Sequence, residues 1–401
     1  MLMLKALRVR AIALLWGGQA LSAIGDEIYR VALIWLAVGL IGADAGYLAA
    51  AQSGALLLLS LAGGHWADRW NQRRTMIAVD ALRAALVLVP VAAFYFWRIN
   101  IPVLLVVALS LSGLNALFDP ALQATLPEVS PDLETLQAAT GLMGTTVRLA
   151  RAVGPGLVGL LGPLLPTVHF FTLDSLSFGI SALSISRMGK LGPAPARKSS
   201  GSFRDSLLAG FRQAAAKPLI KDLMLTRAGV AALWGVAFSL GLALSVQRLA
   251  PGDMRAFGTT VAFYGLGNLV GALYVGNIRR TRPALIAFGG YVWLGLGFML
   301  IGLAPNLKWL AIACAFAGFG GPVNDVPFFD LIQANFPIED LPRMFRLRMA
   351  VETSAMMGLM ALSPQLFREF LPGRVILFCG FGIAALGVAG LSAYGRESGG
   401  P

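Results

Sequence analysis

Apolar runs separated by short polar breaks cover most of the chain. Cutting at the polar, Pro-rich and Gly-rich breaks leaves twelve segments, each about as long as the roughly 20 residues that a helix needs to cross a bilayer. They are 12–40, 46–66, 75–97, 100–126, 137–164 and 166–187, then 222–248, 256–278, 283–304, 306–334, 344–367 and 372–394. The pattern predicts an all-α polytopic membrane protein with 12 transmembrane helices.

A polar stretch divides these segments into two sets of six. Residues 188–217 contain Gly192-Pro193-Ala194-Pro195, several basic residues and then Phe203-Arg204-Asp205-Ser206-Leu207-Leu208. This composition indicates a cytoplasmic linker that ends in a short amphipathic surface helix. We therefore predict an N-terminal six-helix bundle (1–187), a linker (188–217) and a C-terminal six-helix bundle (218–401).

The two bundles show signs of an internal repeat. Four residues of the first half recur in the second at an offset of 210: Phe118, Gln123, Ala124 and Pro127 as Phe328, Gln333, Ala334 and Pro337. Parallel repeats of six spans are one way to build a transporter with its site between the halves. The offset favours two six-helix pseudo-repeats.

Composition and charge fit a multi-pass protein with both termini in the cytoplasm. Hydrophobic residues make up 57% of the chain, which excludes a soluble enzyme with a membrane anchor. Nineteen basic residues lie in the predicted inside segments and six in the outside ones, as the positive-inside rule requires. They lie between apolar runs instead of forming a patch, so the net charge of +12 indicates orientation and not nucleic-acid binding. The first apolar run continues past Arg30 without a small-residue cleavage pattern, so we expect a retained first span.

Motifs for enzymatic chemistry are missing from the sequence. Cys314 and Cys379 both lie inside apolar runs, which argues against a disulfide framework and a thiolate metal site. No phosphate loop, His-Glu-x-x-His or Gly-x-Ser-x-Gly motif occurs. We expect a protein that is not an enzyme, without cofactor or bound metal.

Ionisable residues within the spans are the main candidates for function, because each costs roughly 2.5–3.5 kcal/mol at the centre of a helix by insertion scales. Asp26 and Arg30 share a helix face at i, i+4. Asp26 is either a structural ion pair with Arg30, Arg148 or Arg151, or a protonatable group that alternates between a proton and a substrate or basic partner.

The other ionisable and polar groups in the spans allow similar alternatives. Asp80 with Arg83 is expected to be a solvated or structural pair near the cytoplasmic face, and Asp325 either lines a cavity or repairs a helix break at Gly318–Asp325. Asp119 and Asp330 are expected to be gate or salt-bridge residues. Asp174 is a candidate partner of the arginines, and Gln19 and Tyr29 serve packing or line a cavity. His65 and His169 are expected to pack at helix ends.

The loop after the second segment resembles the signature of the major facilitator superfamily. It contains Gly64, Asp68, Arg69, Arg73 and Arg74, which resemble Gly-x-x-x-Asp-Arg-x-x-Arg-Arg with one additional residue before the last two arginines, and Trp70-Asn71-Gln72 replaces a stretch that often holds Gly. The resemblance implies a conformational latch on the cytoplasmic face, against the start of the eleventh span. Its expected members are these five residues with Asp119 and Arg346.

Two further stretches resemble the exporting branch of this superfamily. Gly154, Pro155 and Gly159 are similar to its antiporter-associated Gly-Pro stretch, where small residues allow tight helix packing and a bend. Leu21–Asp26, Leu122–Glu128 and Ser206–Phe211 are similar to the bacterial subgroup that contains the enterobactin exporter and several drug exporters.

This resemblance implies a secondary active transporter of the bacterial inner membrane. We expect proton-coupled export of a small organic compound, such as a siderophore or drug, by a monomer in the lipid bilayer. Asp26 is the first candidate for coupling and Asp325 the second. Alternatives on the same fold are a lipid or lysolipid flippase and a divalent-metal exporter, and a non-transporting sensor or scaffold also remains open.

Overall fold

Helices form the regular structure of the chain in the computed structural model, which describes residues 5–63, 71–189, 203–337 and 340–394. They are α1 (Arg10–Ile41), α2 (Ala45–Gly63), α3 (Gln72–Val87), α4 (Val89–Phe96), α5 (Ile101–Val129), α6 (Leu133–Leu161), α7 (His169–Ser186), α8 (Phe203–Ala215), α9 (Pro218–Trp234), α10 (Leu242–Leu249), α11 (Met254–Asn277), α12 (Pro283–Gly302), α13 (Leu307–Asn335), α14 (Leu341–Glu369) and α15 (Pro372–Tyr394). A π-helical segment, Gly235–Gly241, joins α9 to α10, and Gly42–Asp44 forms a 3-10 turn between α1 and α2.

The all-α fold expected from the sequence is confirmed. Within the described residues, every predicted apolar segment falls on one helix or on consecutive helices, with boundaries within four residues of the prediction. Seven stretches of the described chain are long and apolar enough to cross a membrane: α1 with α2, α3 with α4, α5, α9 with α10, α11, α12 and α15. The predicted linker helix is α8.

Polar side chains define where many of these helices begin. Asn or Asp at the N-cap accepts a hydrogen bond from the backbone N–H three residues later, which satisfies a donor that the helix leaves free. This occurs at Asn71, Asn100, Asp132, Asp253 and Asn306, with distances of 2.7–3.1 Å. The short polar breaks in the sequence therefore set the helix boundaries.

The chain forms two compact units. The N-terminal unit holds residues 1–40 and 58–199, and the C-terminal unit holds residues 41–57 and 200–401. The first part of α2 thus belongs by its contacts to the C-terminal unit, whereas the predicted division placed all of it in the N-terminal bundle. That domain division remains a prediction.

Each unit has its own packed interior. In the N-terminal unit α3 packs against α5 and α7, and Met76, Val79 and Phe118 lie in an apolar core with Ile12 and Leu15 of α1. In the C-terminal unit α12 packs against α13 and α15, and α11 packs along α13. In lipid such contacts are stabilised by close van der Waals packing more than by water exclusion.

Candidate functional site

Arg83 of α3 is a buried cation in the described part of the N-terminal unit. Its guanidinium lies over the Phe118 ring at 4.4 Å and the Phe178 ring at 5.4 Å. It donates to Asp80 Oδ1 at 3.1 Å, and both side chains are almost fully buried. The solvated alternative for this pair is therefore wrong, since α5 and α7 cover it.

Three further carboxylates lie in the electrostatic field of Arg83. They are Asp26 of α1, Asp119 of α5 and Asp174 of α7. We call these three with Asp80 and Arg83 the N-terminal ionic cluster. Asp80 and Asp174 are fully buried, and the Oδ2 atom of each lacks a hydrogen-bond partner within the described residues. The cluster thus holds more carboxylate than guanidinium.

Glu27, and not Asp26, makes the ion pairs that the sequence suggested for the first span. Its Oε1 lies 3.3 Å from Arg30 and 4.0 Å from Arg151. The Glu27 side chain thus lies within reach of both arginines. Arg148 is exposed and donates to the carbonyl of Gly144 on its own helix at 3.3 Å.

Gln19 and Tyr29 lie on the same helix as Asp26. Gln19 donates to Ser181 of α7 at 2.9 Å, and the Tyr29 ring contacts Phe171 edge-on with centroids 5.6 Å apart. The Tyr29 hydroxyl is buried and makes no hydrogen bond within the described residues. Both side chains therefore join α1 to α7 and border the N-terminal ionic cluster.

Small residues bring α1 close to its neighbours. A Cβ at Gly154 would lie 3.1 Å from the carbonyl oxygen of Ile24 and would overlap the Glu27 side chain. Similarly, a Cβ at Gly25 would overlap Asp174 and Ser177. Pro155 and Gly159 are also buried in α6. The tight packing brings Asp26 and Glu27 next to α6 and α7.

A second ionic cluster, which was not predicted from the sequence, forms in the C-terminal unit around Arg227 of α9. Arg227 donates to Asp325 of α13 at 2.6 Å and also pairs with Glu352 of α14. Arg348 lies 3.6 Å from Glu352. We call these four residues the C-terminal ionic cluster. Its signal in the sequence was an arginine inside the apolar run 222–248.

The surroundings of Asp325 decide between its two predicted roles. Residues Leu307–Asn335 form one uninterrupted helix despite Pro322 and Pro327, so there is no helix break for Asp325 to repair, and that alternative is wrong. Its side chain is 42% exposed and pairs with Arg227. Asp330, five residues later, pairs with Arg280, as expected for a salt-bridge residue.

The predicted latch lies partly outside the described residues. Gly64, Asp68, Arg69 and also His65 fall in the stretch 64–70, which the structure does not describe. Arg73 donates to the carbonyls of Ile185 and Ser186 at the end of α7, and Arg74 is exposed. Arg346 is half-buried in α14, and Asp119 keeps exposed surface. The latch remains a prediction.

His169 and the cysteines occupy structural positions. His169 begins α7, and its Nε2 lies 3.0 Å from the Tyr95 hydroxyl. Cys314 and Cys379 are free and buried. Among the described residues, no group of three His, Cys, Asp or Glu side chains is arranged to hold a metal ion.

Comparison with known proteins relates the chain to transporters. The model of the Major Facilitator Superfamily matches residues 15–359. The chain is 26% identical over 324 residues to the multidrug efflux pump Tap of Mycobacterium tuberculosis strain H37Rv, covering 76% of this chain and 75% of Tap. It is 22% identical over 349 residues to macrolide efflux protein A of Streptococcus pyogenes, covering 85% of each.

A shorter match and several solved structures agree with this. The staphyloferrin A transporter of Staphylococcus aureus is 26% identical over 129 residues, 32% of each chain. A POT family transporter crystallised with 5-aminolevulinic acid superposes with a TM-score of 0.72 at 13% identity, over 98% of this chain and 97% of that one. An inward-facing bacterial homologue of the lysosomal transporter Spinster gives 0.67 at 14% identity, over 95% and 93%. Because these solved structures are only 13% and 14% identical to the chain, they show its fold and not its substrate.

Proposed function

Given that the chain belongs to the major facilitator superfamily, whose members are transporters and not enzymes, we propose that it exports a small organic compound in exchange for protons by alternating access. The direction of transport is supported by the efflux proteins among its relatives. Their named cargoes, drugs and macrolides, and the staphyloferrin A of a third relative, are the first compounds to test.

The observation that carries the proton coupling is the excess of carboxylates in the N-terminal ionic cluster. Asp26, Asp80, Asp119 and Asp174 share the field of Arg83, and Arg30, the other cation near Asp26, is mostly exposed and pairs with Glu27. A buried carboxylate without a matching charge costs several kcal/mol. Binding a proton removes that cost, so the cluster is suited to take up and release protons.

Asp26 is the member best placed to exchange a proton with a changing environment. Asp80 and Asp174 are fully buried and Asp119 is exposed, whereas Asp26 is half-buried, so that Asp26 is both partly shielded from water and within its reach. A conformational change that alters the exposure of Asp26, or its distance from Arg83, changes its preference for a proton. A substrate that binds best when Asp26 is deprotonated is then exchanged for the proton that Asp26 carries in the other state.

The test is transport in proteoliposomes with an imposed pH gradient. A pH-sensitive dye reports gradient dissipation when tetraphenylphosphonium, a macrolide or staphyloferrin A is added. The wild type should dissipate the gradient with at least one of these compounds. Asp26→Asn should reduce the response to that of protein-free vesicles, while binding of the same compound persists, because Asn cannot take up the exchanged proton.

The matched control is Asp253→Asn at the start of α11. Asp253 accepts a hydrogen bond from the Ala256 N–H, a role that Asn also fills, so this variant should transport as the wild type does. Undiminished coupling in Asp26→Asn would remove Asp26 from the mechanism. Dissipation by divalent cations alone would support the metal-exporter alternative, and no response to any addition would contradict proton-coupled export.

A further inference from the structure

In the C-terminal ionic cluster, the carboxylate of Asp325 is more exposed than the guanidinium groups of the two arginines. The side chain of Asp325 is 42% exposed, against 12% for Arg227 and 24% for Arg348. Arg227 engages Oδ1 of Asp325. A ligand that approaches this cluster therefore meets negative charge first.

Arg227 has partners besides Asp325, and these partners still stabilise its charge when the two side chains separate. Its Nε donates to Glu352, and its guanidinium lies 4.9 Å from the centroid of the Phe328 ring. Arg348 likewise pairs with Glu352 and lies 5.1 Å from the Phe329 ring. Cation–ring contacts stabilise guanidinium where water is scarce. The cost of separating Arg227 from Asp325 is therefore lower than for an isolated buried pair.

Three aromatic rings lie near this cluster, on α9, on the π-helical segment that follows it and on α11. Trp234 donates to the Tyr264 hydroxyl at 2.9 Å, and Phe238 contacts both rings with centroids 5.1 and 4.3 Å away. We call Trp234, Phe238 and Tyr264 the aromatic shelf. Trp234 and Phe238 are half-buried and keep surface for contact.

The spacing of residues along α9 and along α13 places the aromatic shelf about two helical turns from Asp325. Trp234 follows Arg227 by seven residues on α9, which is about 10 Å along nearly the same face. The backbone carbonyl of Tyr264 lies close to Gly318, which precedes Asp325 by seven residues on α13. The π-helical segment begins directly after Trp234, and such segments recur at functional sites.

We propose that Asp325 and the aromatic shelf form a binding subsite for amphipathic organic cations. The ammonium or phosphonium charge takes the place of Arg227 at Asp325, and the apolar body of the ligand rests on the shelf. Aromatic faces attract cations, so both parts of the subsite favour the same sign of charge. The subsite relies on the proposed export function only in that its ligand is a transported compound; binding itself needs no gradient.

The test compares two ions of the same shape and opposite charge, tetraphenylphosphonium and tetraphenylborate, by equilibrium dialysis with the full-length protein in detergent. Saturable binding is expected for tetraphenylphosphonium and not for tetraphenylborate. Asp325→Asn should weaken phosphonium binding about tenfold or more, because it removes the carboxylate partner. Asp330→Asn on the same helix is the matched control and should leave binding unchanged.

A second variant tests whether Arg227 competes with the ligand. In Arg227→Gln the intrinsic cation is removed, while Glu352 keeps Arg348 as its partner and the side chain of Asp325 keeps its exposed surface. Tighter phosphonium binding is expected, since Asp325 is then free. Equal binding to Asp325→Asn and wild type, saturable binding of the borate, or absence of saturable phosphonium binding would overturn the subsite. Because no pH gradient is present, these outcomes are independent of the proton-coupling test.

Discussion

At the scale of single residues, the buried Asp80–Arg83 pair engages the one guanidinium group of the N-terminal ionic cluster. Arg83 lies between two rings and donates to Asp80, while Asp174 depends on Ser177 for a contact at 3.3 Å. Breaking a buried pair by removing one member typically costs about 3–5 kcal/mol, because the remaining charge is left uncompensated. The pair therefore leaves Asp26 and Asp174 without a cation of their own within the N-terminal ionic cluster.

Arg83→Gln should lower the free energy of unfolding by about 3–5 kcal/mol, measured by titration with sodium dodecyl sulfate in mixed micelles. The double variant Asp80→Asn/Arg83→Gln should recover most of this loss, because it removes the uncompensated charge as well as its partner. Equal stability of the single and double variants would show that Asp80 does not depend on Arg83 for compensation.

Asp132 outside the membrane-spanning helices gives a prediction about pH. Hydrogen bonds from the backbone N–H and hydroxyl of Thr135 lower the pKa of this carboxyl. The ionised carboxylate therefore stabilises the start of α6 fully at pH values above the ordinary pKa of Asp. This stabilisation is lost as the pH falls through the lowered pKa. Amide hydrogen exchange at the first turn of α6, corrected for its intrinsic pH dependence, should lose protection in acid. Asp132→Asn should abolish this pH dependence.

At the scale of helices, the start of α2 is held to the end of α14. Asp44 pairs with Arg368 at 2.5 Å and Gln365 donates to Tyr47 at 3.1 Å, all within the C-terminal unit. These side chains are partly exposed, and exposed pairs typically contribute up to about 1 kcal/mol. The contact is thus weak enough to open during a transport cycle.

Reversing one charge of this pair should loosen the contact. In Asp44→Arg or Arg368→Asp, a cysteine in place of Tyr47 should react faster with a water-soluble maleimide, by up to about fivefold for 1 kcal/mol. The double variant Asp44→Arg/Arg368→Asp should restore the original rate, because the ion pair re-forms with its charges exchanged. If the double variant reacts as fast as the single ones, the ion pair does not hold α2 to α14.

At the scale of the whole molecule, the distribution of basic residues predicts that both termini face the cytoplasm. Single cysteines in the linker, for example at Ser199, should be inaccessible to an impermeant maleimide in intact cells. Cysteines at Asp44 and Gly252, in predicted outside loops, should react. Labelling of the linker from outside would reverse the predicted orientation.

The helices and their polar ends were predictable because they depend on local sequence. Twenty apolar residues form a helix in lipid wherever they occur, since the bilayer offers backbone groups no other hydrogen-bond partner. Asp26 and Asp325 were also recognisable, because a carboxylate is conspicuous in an apolar run. Arg227 also interrupts an apolar run, but its ion pairs were not predictable because its acidic partners lie about 100 and 125 residues away in sequence.

The amino-acid sequence alone determined the all-α membrane architecture, the family resemblance and a short list of ionisable candidates, because hydrophobicity and helix-end signals act over a few residues. Only the tertiary structure decided which charges meet. It brought Arg151 of α6 to Glu27, covered the Asp80–Arg83 pair with rings of α5 and α7, and joined Arg227 to Asp325 and Glu352. Such pairings depend on the rotation and contact of helices far apart in the chain, which packing sets and local sequence does not encode.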